Sequence, residues 1–170
     1  GHLDCLHRVC GCLLKFKDAK IRFRVHQPDF SNLETHDQDW ASLCGDVKEC
    51  KPHDAPPPLG KPVQLIHCVD ANLMHCTLTG RSVTACLNFA NAAPMDWHTK
   101  KQATVETATH GSEFVAARTC VEQIMDLRNT FCHLGVEVME KSCMFGDNES
   151  VVKSSTNLHT KLHKRHTMSS

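Results

Sequence analysis

The sequence contains no tyrosine among its 170 residues, and aromatic residues make up only 5% of it. Its 19 Lys and Arg balance its 19 Asp and Glu, so the net charge indicates no particular class of partner. No apolar run approaches the roughly eighteen residues that a membrane span needs. The N-terminus lacks the basic start and small-residue cleavage site of a secretory signal. We therefore expect an intracellular protein with no membrane partner.

Cysteine and histidine, by contrast, are abundant, with 11 and 13 residues. An odd number of cysteines cannot all pair, and nothing indicates an oxidising compartment, so we interpret them as free thiols. Soft metal ligands do occur at Cys10-Gly11-Cys12 and in the His-Cys pairs at 67–68 and 75–76. No C-x2-C pairs repeat at zinc-finger spacing. A zinc-binding module is therefore the weakest of the alternatives considered below.

The first 26 residues predict a helix followed by a strand. Apolar residues recur at helical spacing between residues 3 and 16. The following stretch "KIRFRVH" alternates strictly, which predicts a half-buried strand whose outer face carries Lys20, Arg22 and Arg24. Residues 27–62 are rich in acids and prolines, so we expect a linker there, with a short strand around Trp40 to Leu43.

From Val63 onward the pattern predicts an α/β domain that extends to residue 170, with elements in the order β-β-β-α-β-α and a mixed sheet. Phe114, Ala117 and Val121 begin an apolar stripe that continues to Leu134, and Gly135 stands where the helix should end. Thr107 or Thr109 could cap the start of that helix. The predicted strands are residues 63–69, 82–89, 94–99 and 143–145, and the second helix covers 148–155.

Three acids lie at the ends of these predicted elements. Asp70 ends the first strand, Glu113 lies in the first turn of the long helix, and Asp147 follows the fourth strand. Each acid alone fits a simpler role: Asp70 in a turn, Glu113 beside a helix dipole, Asp147 as a helix cap. Together they could form a Mg²⁺ site, because Mg²⁺ prefers hard oxygen ligands. Clustered carboxylates without a metal would repel one another.

Several ordered motifs resemble the ribonuclease H domain of copia-type LTR-retrotransposon polyproteins. The stretches "CVDAN", "DWHTKKQATVETATHGSEFVAAR" and "MFGDNESVV" are similar to that family's S-D-A-D, S-W-x-S-K-K-Q, S-T-E-A-E-Y-V-A and C-D-N-x-S-A motifs. "LHTKLHKRH" resembles its H-x-R-T-K-H segment. The likeness covers about residues 63 to 168. Residues 1–26 resemble the C-terminal end of the preceding reverse transcriptase region.

This resemblance implies a ribonuclease H-like fold that cleaves the RNA strand of RNA–DNA hybrids with two Mg²⁺ (or Mn²⁺) ions. Asp70, Glu113 and Asp147 match the family's catalytic, metal-binding acids. Their order, with the Glu in the first long helix, favours the ribonuclease over integrases, which place the Glu last. The implied partners are the hybrid and the rest of the polyprotein, namely reverse transcriptase and integrase. The implied location is the cytoplasm or a virus-like particle.

The chain also departs from the family pattern. Asn72, Gly111 and Met168 stand where the family has acids, and family tyrosines are replaced at Cys12, Cys86 and Phe114. The family's fourth catalytic Asp would lie beyond Ser170, so the resemblance implies that the last strand and helix are missing. A decayed or truncated, non-catalytic remnant that at most binds nucleic acid is therefore the main alternative.

Two basic segments are the candidates for binding nucleic acid. The first follows the third predicted strand, and the second lies near the C-terminus. Such residues would contact phosphates and 2′-hydroxyls, although a solvated charged surface explains them equally well. The neighbouring Trp97 is expected in the core. The candidate residues are Lys100, Lys101 and Gln102 in the first segment, and Lys164, Arg165 and His166 in the second.

Overall fold

The computed structural model describes residues 2–32, 39, 41–157 and 167–168. Within these residues no helix combines the length and apolarity that crossing a bilayer requires. The helices are α1 His2–Lys15, α2 Ala41–Cys44, α3 Thr109–His133 and α4 Glu149–Thr156. The strands are β1 Leu59–Val63, β2 Leu65–Cys76, β3 Arg81–Ala90, β4 Ala93–Lys101, β5 Val105–Glu106, β6 Val136–Val138, β7 Cys143–Phe145 and β8 Thr167–Met168.

A mixed four-stranded sheet in the order β4-β3-β2-β7 forms the centre of the fold. Strands β2, β3 and β4 pair antiparallel, and the turns between them use Gly80 (φ +67°) and Asn91 (φ +54°), residue types that tolerate the left-handed region. Strand β7 lies parallel to β2. The predicted α/β class and the element order β-β-β-α-β-α are confirmed by β2, β3, β4, α3, β7 and α4. Short parallel β1–β6 and antiparallel β5–β8 pairs were not predicted.

Helix α3 packs on one face of this sheet through small side chains. Ala116 and Cys120 contact Val69, Ala71 and Cys86, and Ile124 packs against this cluster. The predicted stripe is confirmed in part: Ala117 is buried and Ile124 packs against the cluster, whereas Phe114 and Val121 are 37% and 44% exposed. The prediction placed mainly large apolar side chains at the interface between the helix and the sheet. The observed interface instead uses small residues, which let the helix approach the sheet closely.

The ends of α3 are set by different means. Its C-cap is Leu134, and the next residue, Gly135, has φ +69°, which confirms the predicted glycine stop. A Cβ at this glycine would lie 3.4 Å from both Pro56 and Pro57. The N-cap is Ala108, which has no side chain able to cap, so neither Thr107 nor Thr109 occupies the predicted position.

The N-terminal part bears out the predicted helix but not the predicted strand. Helix α1 covers His2–Lys15 and buries none of its residues. Residues 20–26 form no strand, and Ile21, Phe23 and Val25 are 56%, 66% and 84% exposed. Alternation alone does not make a strand, because a strand needs a pairing partner and none of the described residues provides one. Ala41–Cys44 is a helical turn rather than the predicted strand, and Trp40 lies outside the described residues.

Arg128 of α3 links the irregular segment before β1 to the rest of the fold through hydrogen bonds. Its guanidinium donates to both carboxylate oxygens of Glu49, at 2.8 and 2.6 Å. It also donates to the Met139 carbonyl at 3.1 Å and to the Ser142 Oγ at 3.0 Å. The hydrogen bonds from Arg128 lower the pKa of the Glu49 carboxyl.

Helix α4 is capped by Asn148 rather than by Asp147. The Asn148 side chain accepts a hydrogen bond from the Val151 N–H at 3.1 Å and another from the Ser150 hydroxyl at 2.6 Å. Because Asn148 satisfies the helix start, Asp147 is available for another role.

We predict that Asn148→Ala lowers the free energy of unfolding by about 1 kcal/mol, because a backbone N–H of α4 loses its partner. Chemical denaturation followed by circular dichroism would measure it. Asp147→Asn is the matched control, since it keeps the cap and removes one charge from an acidic cluster. A larger loss of stability for Asp147→Asn than for Asn148→Ala would contradict this assignment of the cap.

Candidate metal centre

Three separate elements bring Asp70, Glu113 and Asp147 together. Each offers a carboxylate oxygen, and these oxygens all lie within 4.8 Å of one another. The acids lie far apart in sequence, so only the packing of α3 and β7 around β2 explains their meeting. The convergence expected from the sequence is therefore present.

The position of two acids within their elements differs from the prediction. Asp70 does not end its strand, because β2 continues to Cys76 and its ladder with β3 extends past Asp70 to Asn72. Glu113 lies in the second turn of α3, which begins at Thr109. Asp147 does follow its strand: β7 ends at Phe145, which pairs with Cys68, two residues before Asp70. The parallel pairing of β7 with β2 thus places Asp147 beside Asp70.

Glu113 is the buried member of the cluster. Its residue is 8% exposed, whereas Asp70 and Asp147 are exposed to solvent. Burial raises the pKa of the Glu113 carboxyl, and the negative charges of Asp70 and Asp147 raise it further. A hydrogen bond from the Ala71 backbone opposes this shift. The burial of Glu113 makes the repulsion among the three carboxylates costly. A cation bound at the cluster would replace this repulsion with attraction.

The donor set suits a hard divalent cation. All three ligands are carboxylates, two of them open to solvent, so bound water could complete the coordination of an ion such as Mg²⁺. Among the described residues no comparable group contains Cys or His, so the zinc alternative has no assembled site there. The three acids could together hold a metal ion.

A groove opens beside the cluster between α3 and α4. Glu113 lines it together with Val69, Ala117 and Val151, so apolar side chains flank the buried carboxylate. Gly146 also borders the groove, and a Cβ there would lie 3.6 Å from the Val69 side chain. This apolar surrounding is consistent with the desolvation that raises the pKa of Glu113.

The first basic segment divides into two exposed residues and one buried residue. Lys100 and Lys101 are exposed at the end of β4, an edge strand. Gln102 is only 5% exposed, and its Nε2 donates to the Thr84 Oγ1 at 3.0 Å and to the Ser112 carbonyl at 2.8 Å. The Gln102 amide thus joins the sheet to the start of α3, inside the fold. Lys164, Arg165 and His166 lie outside the described residues.

Lys101 lies close to a cysteine, a contact that the sequence did not indicate. Its Nζ lies 3.2 Å from the Cys76 Sγ. Hydrogen bonds from Thr79 and from Lys101 lower the pKa of the Cys76 thiol to about 6. Cys76 is therefore largely a thiolate at neutral pH, with Lys101 as its cationic partner.

Trp97 and Asn148 were the main misses of the sequence-based prediction. Trp97 is 66% exposed on β4, although a core position was expected. Its place on an edge strand could not be deduced from composition. Asn148 could have been recognised from the sequence as the N-cap of α4, since Asn is a favoured N-cap and Glu149 follows it in the first turn.

Comparison with known proteins identifies no relative: no family model matches the chain, and no curated protein or solved structure matches it either. The site is therefore interpreted from its own geometry and from the motifs described above.

We predict that Glu113→Gln raises the melting temperature of the metal-free protein by a few degrees at pH 8. The raised pKa of Glu113 adds stability that is complete below the carboxyl's ordinary pKa and lost as pH rises through the folded-state pKa. At pH 8 the ionised carboxylate is therefore unfavourable, and Gln removes it. Mg²⁺ should stabilise the wild type more than this variant.

Glu122→Gln provides the matched control for thermal melts in EDTA and in Mg²⁺. Glu122 lies on the same helix but is exposed and pairs with Arg118 at 3.2 Å, away from the three-acid cluster. Equal gains with Mg²⁺ in the wild type and Glu113→Gln would contradict a role for Glu113 in metal binding.

Proposed function

We propose that the chain is a ribonuclease H-type endoribonuclease that hydrolyses the RNA strand of RNA–DNA hybrids. The observation that carries the proposal is the meeting of three carboxylates, from β2, α3 and the end of β7, within 4.8 Å. Their order of Asp, Glu, Asp, with the Glu on the long helix, supports this enzyme over integrase-type relatives of similar chemistry. The motifs around each acid support the same assignment.

Asp70, Glu113 and Asp147 would hold the divalent ions, Mg²⁺ or Mn²⁺. Bound divalent ions supply Lewis acidity for phosphodiester hydrolysis and stabilise charge on the leaving oxygen. The chain itself contributes the placement of the ligands. Exposed Asp70 and Asp147 face the solvent side, where substrate arrives, and buried Glu113 anchors the site from the helix. A bound cation would oppose the rise in the pKa of Glu113 that burial and the charges of Asp70 and Asp147 cause.

The hybrid would be held through its backbone rather than its bases. Lys100 and Lys101 project from the end of the edge strand β4, and Lys100 can neutralise a phosphate. Lys101 would have to exchange its contact with the Cys76 Sγ, at 3.2 Å, for a phosphate. Gln102 supports them from inside through its bonds to Thr84 and Ser112. The prediction that Lys164, Arg165 and His166 add a second basic contact remains part of this proposal.

By resemblance, the chain would act within a retrotransposon polyprotein, beside reverse transcriptase and integrase. Residues 1–26 would be the end of the reverse transcriptase region, and the enzyme would work in the cytoplasm or in a virus-like particle. The irregular residues 45–58 before β1 fit a connection between two functional regions.

A non-catalytic remnant that binds nucleic acid is the second candidate. It is favoured by Asn72, which stands in β2 where the family has a further acid. The Asn72 Nδ2 lies 3.0 Å from the His75 Nδ1, so this side chain is engaged locally. Three carboxylates, rather than four, would then hold metal too weakly for turnover.

We predict that the wild type cleaves a labelled RNA–DNA hybrid in Mg²⁺ and that Asp147→Asn reduces the rate about a thousandfold. Metal ions contribute several kcal/mol to such reactions, and each 1.36 kcal/mol is a factor of ten. Gel electrophoresis of a hybrid labelled on its RNA strand would measure the rate. Cleavage should stop in EDTA.

Asp126→Asn is the matched control, because Asp126 is an exposed acid on α3 that lies outside the cluster. It should leave the rate unchanged. Wild-type cleavage no faster than that of Asp147→Asn would reject the enzyme and leave the remnant as the better description.

A further inference from the structure

Two buried cysteines meet at the contact between α3 and the central sheet. Cys86 of β3 is 3% exposed, and Cys120 of α3 is fully buried. Both belong to the small cluster through which α3 packs on the sheet, and both are free thiols. The helix itself covers this pair, so its surroundings do not depend on any exposed surface of the sheet.

The two thiols interact directly with each other. A hydrogen bond between them lowers the pKa of the Cys86 thiol and raises that of the Cys120 thiol, so Cys120 donates and Cys86 accepts. Such a bond requires the two sulfur atoms to lie close together, because a thiol is a weak donor. The other buried members of the cluster are Val69, Ala71 and Ala116, whose side chains have no polar atom.

The packing around the pair suits a disulfide bond. A disulfide needs the two Cβ atoms about 4 Å apart, which is closer than most helices approach a sheet. Ala71 and Ala116 allow this close approach, because their side chains occupy little space between the helix and the sheet. The pair therefore differs from two cysteines that merely share a core.

The asymmetry of the hydrogen bond also suits oxidation. The thiolate is the form of cysteine that attacks an oxidant, and the hydrogen bond from Cys120 favours the thiolate of Cys86. Hydrogen peroxide would convert this thiolate to a sulfenic acid and release hydroxide. The Cys120 sulfur would then displace the hydroxyl group, which leaves as water with the Cys120 proton. In total, two thiols and one hydrogen peroxide give one disulfide and two waters.

The cysteine pair lies next to the three-acid cluster. Cys86 pairs across the sheet with Val69, the residue before Asp70. Cys120 follows Glu113 by about two turns of α3, or about 10 Å along the helix axis. A covalent bond at this position would hold the helix that carries Glu113 against the strand pair that carries Asp70.

We propose that Cys86 and Cys120 form a reversible disulfide under oxidising conditions, and that this bond holds α3, and with it Glu113, on the sheet. The site takes a small hydroperoxide as its oxidant and a thiol as its reductant. Disulfides of this reversible kind are the ones that occur inside cells. The inference requires neither bound metal nor hydrolysis, so it is independent of the proposed nuclease.

Peptide mapping tests the bond itself. The reduced, folded wild type is treated with hydrogen peroxide, its remaining thiols are alkylated, and a non-reduced digest is analysed by mass spectrometry. We expect a linked pair of peptides that contains Cys86 and Cys120 and that dithiothreitol separates.

Three mapping results would overturn the proposal. The first is the absence of the linked peptides while circular dichroism shows a folded protein. The second is a Cys86–Cys120 bond that forms only in urea, because native packing would then not support it. The third is a bond between Cys50 and Cys132 in its place, since those two residues line a different groove. The mapping uses only the wild type, so it tests the bond even where a variant is unstable.

Melting curves test what the bond does. A disulfide that closes a loop of roughly 35 residues should raise the melting temperature by about 8 °C, because it lowers the entropy of the unfolded chain. Cys86→Ala and Cys120→Ala should each remove this increase, whereas Cys132→Ala, on the same helix, should keep it. An equal increase in all three variants, or no increase in a wild type that carries the bond, would overturn the proposed role.

Discussion

The packing of α3 against β2 is the constraint on which the candidate site depends. Ala116 and Cys120 bring the helix close to Val69 and Ala71, and this contact holds Glu113 beside Asp70 despite the repulsion between their charges. The burial of this interface of small residues offsets the free-energy cost of that repulsion. A metal ion bound by the three acids would turn the same arrangement from unfavourable to favourable.

Neighbouring residues divide the structural and chemical roles around this contact. Asn148 caps α4, which releases Asp147 for the cluster. Gln102 ties β4 to the start of α3 from inside, which leaves Lys100 and Lys101 at the surface. Some side chains thus stabilise the fold, while adjacent side chains remain available to contact a ligand.

Much of this could be predicted from the sequence, and the exceptions have physical reasons. The order of β2, β3, β4, α3, β7 and α4 follows from apolar periodicity and from glycine at the helix end. The three acids were identified because they lie near element ends within recognisable motifs. Ala116 and Cys120 of α3 were missed because the buried part of that helix carries small residues rather than large apolar ones. The strand expected at residues 20–26 and the core position expected for Trp97 failed because pairing and coverage are tertiary properties.

The central claim is that Asp70, Glu113 and Asp147 form one divalent-metal site. Mn²⁺ binding followed by electron paramagnetic resonance tests it most directly, because the signal of free Mn²⁺ falls as the ion binds. The account predicts saturable binding by the wild type. It also predicts at least about tenfold weaker binding after Asp70→Asn, Glu113→Gln or Asp147→Asn, and unchanged binding after Asp126→Asn. Equal affinity in the wild type and all three cluster variants would contradict it.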